Sequence, residues 1–337
     1  MSTTIIAFFN NKGGVGKTSL VYHLAWMYSD LGYRVVAADL DPQANLTTAF
    51  LDEERLEEIW LEKHHQKTIF GCVEPLIKGI DDIAEPHLEY IANYDLSANK
   101  LALLAGDLLL TSFESYLSSR WHELQSRKTL SLQYLSAFWR ILQKASIGNK
   151  ADIILMDLSP NLGAINHAAL IAADYVVIPL LLDISPLYGL RNLAQTLTRW
   201  REGWKTILAN NITDAEPLPA GIIQPIGYVV CQLPMRLDRP AKAYHLLMSE
   251  IPKVYREAML NDREDENISL QDDPNCLALL KSYQSLMSMA QEAHKPMFHL
   301  KPADGAIGAH TRAVKNVYED FEKLARKIAE RTQLKTF

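Results

Sequence analysis

The chain is organised around residues 9–19, Phe-Asn-Asn-Lys-Gly-Gly-Val-Gly-Lys-Thr-Ser. The apolar run at residues 5–9 is typical of a buried parallel strand, and residues 20–31 place apolar side chains at helical spacing. The order strand, glycine-rich loop, helix directs a row of backbone N–H groups and a helix N-terminus at one point. We therefore predict a loop that binds phosphate.

The residue types within the loop suit a nucleotide. Glycines let the backbone pass close to phosphate oxygens. Lys17 supplies a positive charge to the β- and γ-phosphates, and the hydroxyl of Thr18 can bind Mg²⁺. The alternative is a glycine turn followed by a surface lysine. The predicted nucleotide-binding residues in this stretch are Gly13, Gly14, Val15, Gly16, Lys17, Thr18 and Ser19.

Composition sets limits on the class of protein. The chain has 337 residues, of which 48% are hydrophobic and 22% charged, as in ordinary globular proteins. Its net charge of −6 gives no overall attraction to nucleic acid or to an anionic membrane, so DNA binding would need a local basic patch. Its cysteines, Cys72, Cys231 and Cys276, are isolated from one another, which is typical of a reducing cytoplasm. No apolar run approaches the ~20 residues of a membrane-spanning helix, and a strand so near the start leaves no room for a signal peptide.

Carboxylates follow two further apolar runs. Residues 34–38 are typical of a second buried strand, and Asp39 and Asp41 come directly after it. Residues 152–156 are followed by Asp157, the form of a strand that carries one acid to the Mg²⁺ side of a phosphate loop. Ligands of open α/β sheets collect at the carboxyl ends of the strands, so we expect these acids near the phosphates. The alternative for the first pair is a capping role in a strand-to-helix turn.

The second lysine of the loop carries a resemblance. Residues 12–18, Lys-Gly-Gly-Val-Gly-Lys-Thr, resemble the deviant Walker A motif of the ParA/MinD family of dimeric ATPases. In that family the early lysine reaches across the subunit interface to the nucleotide of the partner. The resemblance therefore implies this role for Lys12, whereas the alternative is a solvated lysine at the loop entrance.

Two other segments resemble the same family. Residues 39–45 resemble the switch segment of ParA proteins, with Ala44 where many members have glycine. Residues 157–163 resemble the segment that follows the Walker B acid, with Leu158 and Ser159 departing from it. By this resemblance Asp41 holds the attacking water, Asp39 supports the Mg²⁺ shell and Gln232, at the end of a strand, contacts the adenine. The implied catalytic residues are Lys12, Lys17 and Asp41, and the implied metal residues are Thr18, Asp39 and Asp157.

The resemblance also implies a function. A ParA-type protein is an ATPase that forms a homodimer on ATP and Mg²⁺, binds DNA without sequence preference and hydrolyses ATP slowly until a ParB-like or other adaptor protein stimulates it. Such cycles serve DNA partition or the positioning of cargo. The resemblance implies a cytoplasmic protein, associated with the nucleoid if it binds DNA. Because the phosphate loop begins at residue 12, we expect no helix-turn-helix domain ahead of it.

The predicted DNA-binding residues lie in two helical stretches, and the alternative is that they are solvated helix faces. They are Arg199, Arg201 and Lys205 in the first stretch, and Arg312 and Lys315 in the second. Two other functions remain open from the residues. One is an ATP-dependent switch protein with a dedicated partner and no DNA binding, and the other is a metabolic kinase or ligase with a small-molecule substrate.

The alternation of strands and helices predicts an α/β fold, a doubly wound and mostly parallel sheet with helices on both faces. We expect residues 1–337 to form a single P-loop ATPase domain. Insertions are predicted at about 52–99, 111–148 and 257–284, where the sequence departs from the family. Residues 51–99 in particular do not have the pattern of a compact core.

Overall fold

The apolar runs of the sequence assemble into one sheet. The computed structural model describes residues 3–61, 65–80, 82–91, 100–123, 129–182, 186–210, 217–233, 242–262 and 268–335. Its strands are β1 (Thr4–Phe8), β2 (Val35–Asp39), β3 (Glu89–Tyr90), β4 (Leu101–Leu104), β5 (Ile153–Asp157), β6 (Tyr175–Leu181), β7 (Gln224–Leu233) and β8 (Cys276–Lys281). Their order across the sheet is β3-β4-β2-β5-β1-β6-β7-β8.

Helices connect most of these strands. They are α1 (Lys17–Asp30), α2 (Asn45–Phe50), α3 (Glu53–Trp60), α4 (Ile69–Ile77), α5 (Thr111–Glu123), α6 (Thr129–Leu135), α7 (Ala137–Asn149), α8 (Ala164–Ile171), α9 (Pro186–Asn210), α10 (Lys242–Tyr255), α11 (Gln284–Glu292) and α12 (Ala309–Arg331). Short 3₁₀ turns lie at Leu108–Leu110, Met297–His299 and Pro302–Asp304, and a π-helical turn lies at Arg256–Leu260. None of the described helices is long and apolar enough to cross a membrane.

The sheet reverses its winding direction at β1. All neighbouring strands are parallel except β3 and β4, which pair antiparallel. From β1 the chain crosses over to β2 on one side, and from β5 it crosses over to β6 on the other. Right-handed crossovers in opposite directions put α1 and α8 on opposite faces, which makes the carboxyl end of β1 the expected ligand position. The predicted doubly wound, mostly parallel sheet is confirmed.

Alternate side chains of each strand enter different apolar layers. In β1 and the residue after it, Ile5, Ala7 and Phe9 pack in the layer with α4 to α10. Ile6 and Phe8 pack in the layer with α1, α2, α3, α11 and α12. The sheet is therefore buried on both faces, as its nearly continuous apolar strands require.

The expectation that residues 51–99 do not have the pattern of a compact core is wrong for α4. In α4, Ile69 is fully buried and belongs to the main apolar layer together with Leu76. Pro75 lies inside this nine-residue helix. β8, which lies within the third predicted insertion, is an edge strand of the sheet. Parts of all three predicted insertions lie outside the described residues.

Candidate nucleotide site

The glycine loop leaves β1 and turns directly into α1. Gly14 and Gly16 have left-handed φ angles of 73° and 91°, a conformation that glycine adopts without steric cost. Gly16 is the N-cap residue of α1 and provides no side-chain hydrogen bond. The first N–H groups of the helix are therefore left without a side-chain cap and are available to an anion.

Asn10 fixes the start of the loop and is a residue that the sequence did not reveal. Its side-chain amide donates a hydrogen bond to the carbonyl of Pro179 in β6 at 2.7 Å. Its Oδ1 accepts a hydrogen bond from the backbone N–H of Lys12 at 3.0 Å. Because Asn10 is buried, these bonds tie the loop to the neighbouring strand. No local pattern distinguishes such an asparagine from an ordinary loop residue.

Lys17 lies inside the loop, with its side chain buried. Its Nζ donates a hydrogen bond to the carbonyl of Lys12 at 3.3 Å. Burial lowers the pKa of Lys17, while the charges of Asp157 and Asp41 oppose that change. The fold therefore brings the ammonium group of Lys17 close to the carboxylates of Asp41 and Asp157, which were predicted to lie near the phosphates.

The predicted acids gather at the carboxyl ends of β2 and β5. Asp39 and Asp157 are opposite each other in the parallel register, and both are fully buried. Burial raises the pKa of Asp39 to about 7, and its hydrogen bonds with Thr47 oppose the rise. Burial also raises the pKa of Asp41 and, together with the charge of Asp39, raises the pKa of Asp157 well above its ordinary value. Three acids and one buried ammonium group form a site that a cation would stabilise.

Asp157 and Thr18 fit a magnesium ion. Neither carboxylate oxygen of Asp157 has a regular hydrogen bond, although both are buried, and the nearby hydroxyl of Thr18 opposes the rise in its pKa. Buried carboxylate oxygens without partners are costly unless a ligand satisfies them. Among the described residues, no group of three or more His, Cys, Asp or Glu side chains could hold a metal alone. A Mg²⁺ ion here would need phosphate oxygens or water as additional ligands.

Asp39 differs from Asp157 because its oxygens are already engaged. Its Oδ2 accepts hydrogen bonds from the backbone N–H and the hydroxyl of Thr47 at 2.8 and 2.7 Å. Its Oδ1 accepts a hydrogen bond from the backbone N–H of Asp41 at 3.3 Å. The predicted support of Asp39 for the Mg²⁺ shell stays a prediction, and it would have to coexist with these three hydrogen bonds.

A cleft of about 780 Å³ opens over the loop. The predicted residues that line it are Gly13, Gly14, Gly16, Lys17, Thr18, Ser19 and Asp41. Its opposite wall comes from α11 and the residues after it, and includes Met287, Ala290, Gln291, His294 and Lys295. This wall was not predicted, because α11 is more than 260 residues away from the loop in the chain.

Other predicted nucleotide residues lie beside this cleft. Lys12 and Val15 line a separate pocket of about 430 Å³ together with Tyr188, which is 77% exposed. Gln232, which has a left-handed φ of 57°, lines a third pocket that shares Gly16 with the main cleft. The predicted adenine contact of Gln232 stays a prediction.

The segment after Asp157 is held by α5, a contact that the sequence did not predict. Glu114 in α5 accepts hydrogen bonds from the backbone N–H groups of Ala164 and Ile165 at 2.5 and 2.9 Å. A carboxylate at a helix N-terminus is favoured by the helix dipole. Pro160, just ahead of α8, lines the cleft. Glu114 thus fixes the end of the segment that forms one side of the site.

The predicted DNA-binding residues are not brought together in one chain. Arg199, Arg201 and Lys205 lie on α9, which packs in the layer with α8. Arg312 and Lys315 lie on α12, which packs in the opposite layer with α1. Four of the five side chains are exposed, and Arg201 is half-buried. A single DNA surface that includes both groups would need more than one subunit.

His23 links α1 to the wall of the cleft as a neutral imidazole. It is 1% exposed; its Nδ1 donates a hydrogen bond to the carbonyl of Ser19 at 2.7 Å, and its Nε2 accepts one from the backbone N–H of Met297 at 3.2 Å. Protonation of Nε2 is disfavoured, because the second ring proton would face the backbone N–H of Met297. Burial accordingly lowers the pKa of His23 to about 4.

We expect His23 to weaken the protein in mild acid. Because its pKa in the folded state lies below the unfolded value of about 6.5, its contribution is fully present above pH 6.5 and is lost as the pH falls toward 4. The free energy of unfolding of the wild type, minus that of His23→Gln, should fall by about 2 kcal/mol between pH 7 and pH 5. Urea unfolding at both pH values measures this difference, and an unchanged difference would contradict the prediction.

The fold and site together define a P-loop nucleotide-binding protein. Residues 3–210 match the AAA domain family AAA_31. The chain is 31% identical to the protein IncC of Escherichia coli over 202 residues, which are 60% of this chain and 47% of IncC. It spans about half the length of the curated relatives that it matches.

Two solved structures share the fold over nearly the whole chain. The protein DIP2308 of Corynebacterium diphtheriae has a TM-score of 0.70 at 21% identity, covering 98% of this chain and 99% of that one. McdA of Cyanothece, solved as an ATP complex of a variant, has a TM-score of 0.62 at 16% identity, covering 99% of this chain and 98% of that one. The chain belongs to the ParA/MinD family, as its loop and switch segments predicted.

Proposed function

We propose that this chain is an ATPase that dimerises on ATP and Mg²⁺ and is switched off by hydrolysis, serving DNA partition or cargo positioning. The observation that carries the proposal is the buried group formed by Lys17, Asp41 and Asp157 beside the uncapped start of α1. Such a group is costly on its own, and a polyphosphate with a divalent cation would satisfy it. The solved relative McdA is an ATP complex, which supports the choice of nucleotide.

Phosphoryl transfer needs positioning and charge stabilisation more than it needs a side-chain nucleophile. Lys17 and the N–H groups of the loop would bind the β- and γ-phosphates. Thr18 and Asp157 would hold Mg²⁺, which neutralises charge on the phosphates when it is bound. Asp41 lines the cleft, and its Oδ1 accepts a hydrogen bond from the backbone N–H of Gln43 at 2.9 Å. That bond fixes the carboxylate, so that its other oxygen can orient the attacking water.

The position of Lys12 supports a role across a dimer interface. Lys12 lines a pocket next to the main cleft and not the cleft itself. Tyr188, on the same pocket, is a large side chain that is 77% exposed. Tyrosine is enriched at protein–protein interfaces relative to the rest of the surface. A second copy of the chain would cover Tyr188 and receive Lys12 at its nucleotide.

Sedimentation with a non-cleavable ATP analogue, with ADP and without nucleotide tests the proposal. We expect a dimer with the ATP analogue, and a monomer with ADP or without nucleotide. Lys12→Ala should weaken that dimer about tenfold or more, because it removes a charge-assisted contact, while nucleotide affinity of the monomer stays within about threefold. Lys144→Ala, which removes a surface lysine paired with Glu85, is the matched control. A monomer at saturating analogue would refute the proposed dimer, and unchanged dimerisation of Lys12→Ala would refute its contact.

We further propose that the ATP-bound dimer binds DNA without sequence preference. The alternative is a dedicated protein partner without DNA binding. The two basic groups lie on opposite layers of a chain with a net charge of −6, and this arrangement supports the alternative. If DNA binds the ATP dimer, retention on non-specific DNA should fall steeply with salt, and Arg199→Glu with Arg201→Glu should reduce it. Lys144→Glu is the control. ATP-dependent dimers that do not bind DNA at low salt would select the dedicated partner, an adaptor that stimulates hydrolysis.

A further inference from the structure

Thr47, at the start of α2, connects the site to a neighbouring strand. We infer that Thr47 is a positioning residue for hydrolysis, which ties Asp39 and the main chain of Asp41 to Gly106 at the end of β4. The inference rests on the proposed function, since it assigns to Asp41 the water that attacks ATP. Thr47 itself does not line the cleft and has no predicted contact with nucleotide.

The connection is a continuous set of buried hydrogen bonds. The backbone N–H of Gly106 donates to the hydroxyl oxygen of Thr47 at 2.7 Å. That hydroxyl donates to Oδ2 of Asp39 at 2.7 Å, and the backbone N–H of Thr47 donates to the same oxygen at 2.8 Å. Oδ1 of Asp39 accepts from the backbone N–H of Asp41 at 3.3 Å. Thr47 and Asp39 are fully buried, so water cannot replace these bonds without moving the backbone.

Gly106 is held on its other side as well. Its carbonyl accepts a hydrogen bond from Nε1 of Trp60 at 3.1 Å. The next residue, Asp107, accepts hydrogen bonds from the hydroxyl of Thr68 at 2.7 Å and from the backbone N–H of Leu109 at 2.8 Å. Trp60 and Thr68 belong to the first predicted insertion. The segment that departs from the family therefore supports the loop that carries Asp41.

The packing at Gly106 is close enough to make the contact specific. A Cβ atom at this position would lie 2.7 Å from Cγ and 2.8 Å from Oδ2 of Asp39. Any larger residue would displace that carboxylate. An error of about 1 Å in a group that orients a reactant can cost about a hundredfold in rate, so the loop around Asp41 needs this support.

The test compares Thr47→Val, which removes the hydroxyl at constant volume, with Thr47→Ser, which keeps it. We expect Thr47→Val to lower kcat for ATP hydrolysis about tenfold or more, with KM for ATP and the ATP-dependent dimer within about threefold of the wild type. Thr47→Ser should restore kcat to within about threefold. The matched control is Thr332→Val, which removes a buried hydroxyl that donates to Ile328 in α12 at 2.9 Å.

A second variant keeps the inference testable if Thr47→Val does not fold. Gly106→Ala should displace Asp39 and lower kcat in the same way, again with little change in KM. The decisive case is one in which Asp41→Ala abolishes hydrolysis. A wild-type kcat in Thr47→Val then overturns the inference. If Thr47→Val is unfolded, a wild-type kcat in Gly106→Ala overturns it instead. Equal losses in Thr47→Ser and Thr47→Val would also overturn it, because the hydroxyl would then not matter. Unchanged hydrolysis in Asp41→Ala refutes the proposed role of Asp41, and the inference with it.

Discussion

Replacing Lys17 by alanine should reduce the affinity for ATP by about a hundredfold or more, because a charge-assisted contact with the phosphates is lost from a buried position. The side chain of Lys17 is buried in the loop, so its contact with the phosphates would be shielded from water. The variant also leaves Asp41 and Asp157 without their ammonium neighbour, which strengthens repulsion against the triphosphate. Isothermal titration with a non-cleavable ATP analogue in the presence of Mg²⁺ measures the loss.

Two comparisons give this result its meaning. Lys144→Ala removes a lysine that is paired with Glu85 on the surface, and we expect it to bind the analogue as the wild type does. The thermal midpoint of Lys17→Ala without nucleotide shows whether the fold is intact. Wild-type affinity in a folded Lys17→Ala protein would mean that the glycine loop is not the phosphate site.

Replacing Asp41 by alanine should lower ATP turnover about a hundredfold or more while ATP-dependent dimers persist, because the attacking water loses the carboxylate that orients it, and a misplacement of ~1 Å can cost about a hundredfold in rate. Asp41 is almost fully buried, and burial raises its pKa, while the hydrogen bond from the backbone N–H of Gln43 and the charge of Lys17 oppose the rise. Turnover is measured as phosphate release at saturating ATP, and dimers by sedimentation in the same buffer.

Asp41→Asn separates the charge from the shape of the loop. Its side-chain oxygen can still accept the hydrogen bond from the backbone N–H of Gln43, so the loop keeps its conformation. We expect Asp41→Asn to lose turnover as Asp41→Ala does, if the carboxylate acts on the water. Asp82→Asn changes a surface carboxylate paired with Arg140 and serves as the control. Normal turnover in either Asp41 variant would remove Asp41 from the proposed mechanism.

Much of the site could be predicted because its parts are local. The glycines, Lys17 and Thr18 lie within one short loop, and the motif itself specifies the strand before it and the helix after it. The position of Asp157 could be predicted equally well, because a buried strand that ends in one acid places that acid at the ligand edge of a parallel sheet. These predictions needed no knowledge of which strands are neighbours.

The contacts that escaped prediction join residues far apart in the chain. Asn10 binds β6, Glu114 holds the start of α8, and Thr47 is bound by Gly106. Each of these residue types is common in loops and helix ends, so its neighbours in the sequence do not mark it. The burial of Ile69 escaped for a related reason, since the segment gains its apolar neighbours only when it packs on the sheet.

The strand, loop and helix around residues 9–19, the two acidic strand ends and hence the family could all be predicted from the residues alone. Their physical basis is short-range, because backbone N–H direction, glycine conformations and apolar periodicity are set within a few residues. Three features followed only from the packed fold: α11 lines the cleft, the basic residues of α9 and α12 lie on opposite layers, and Thr47 links Asp39 to Gly106 by buried hydrogen bonds. Those features depend on strand order and helix packing, which bring distant side chains within hydrogen-bond reach.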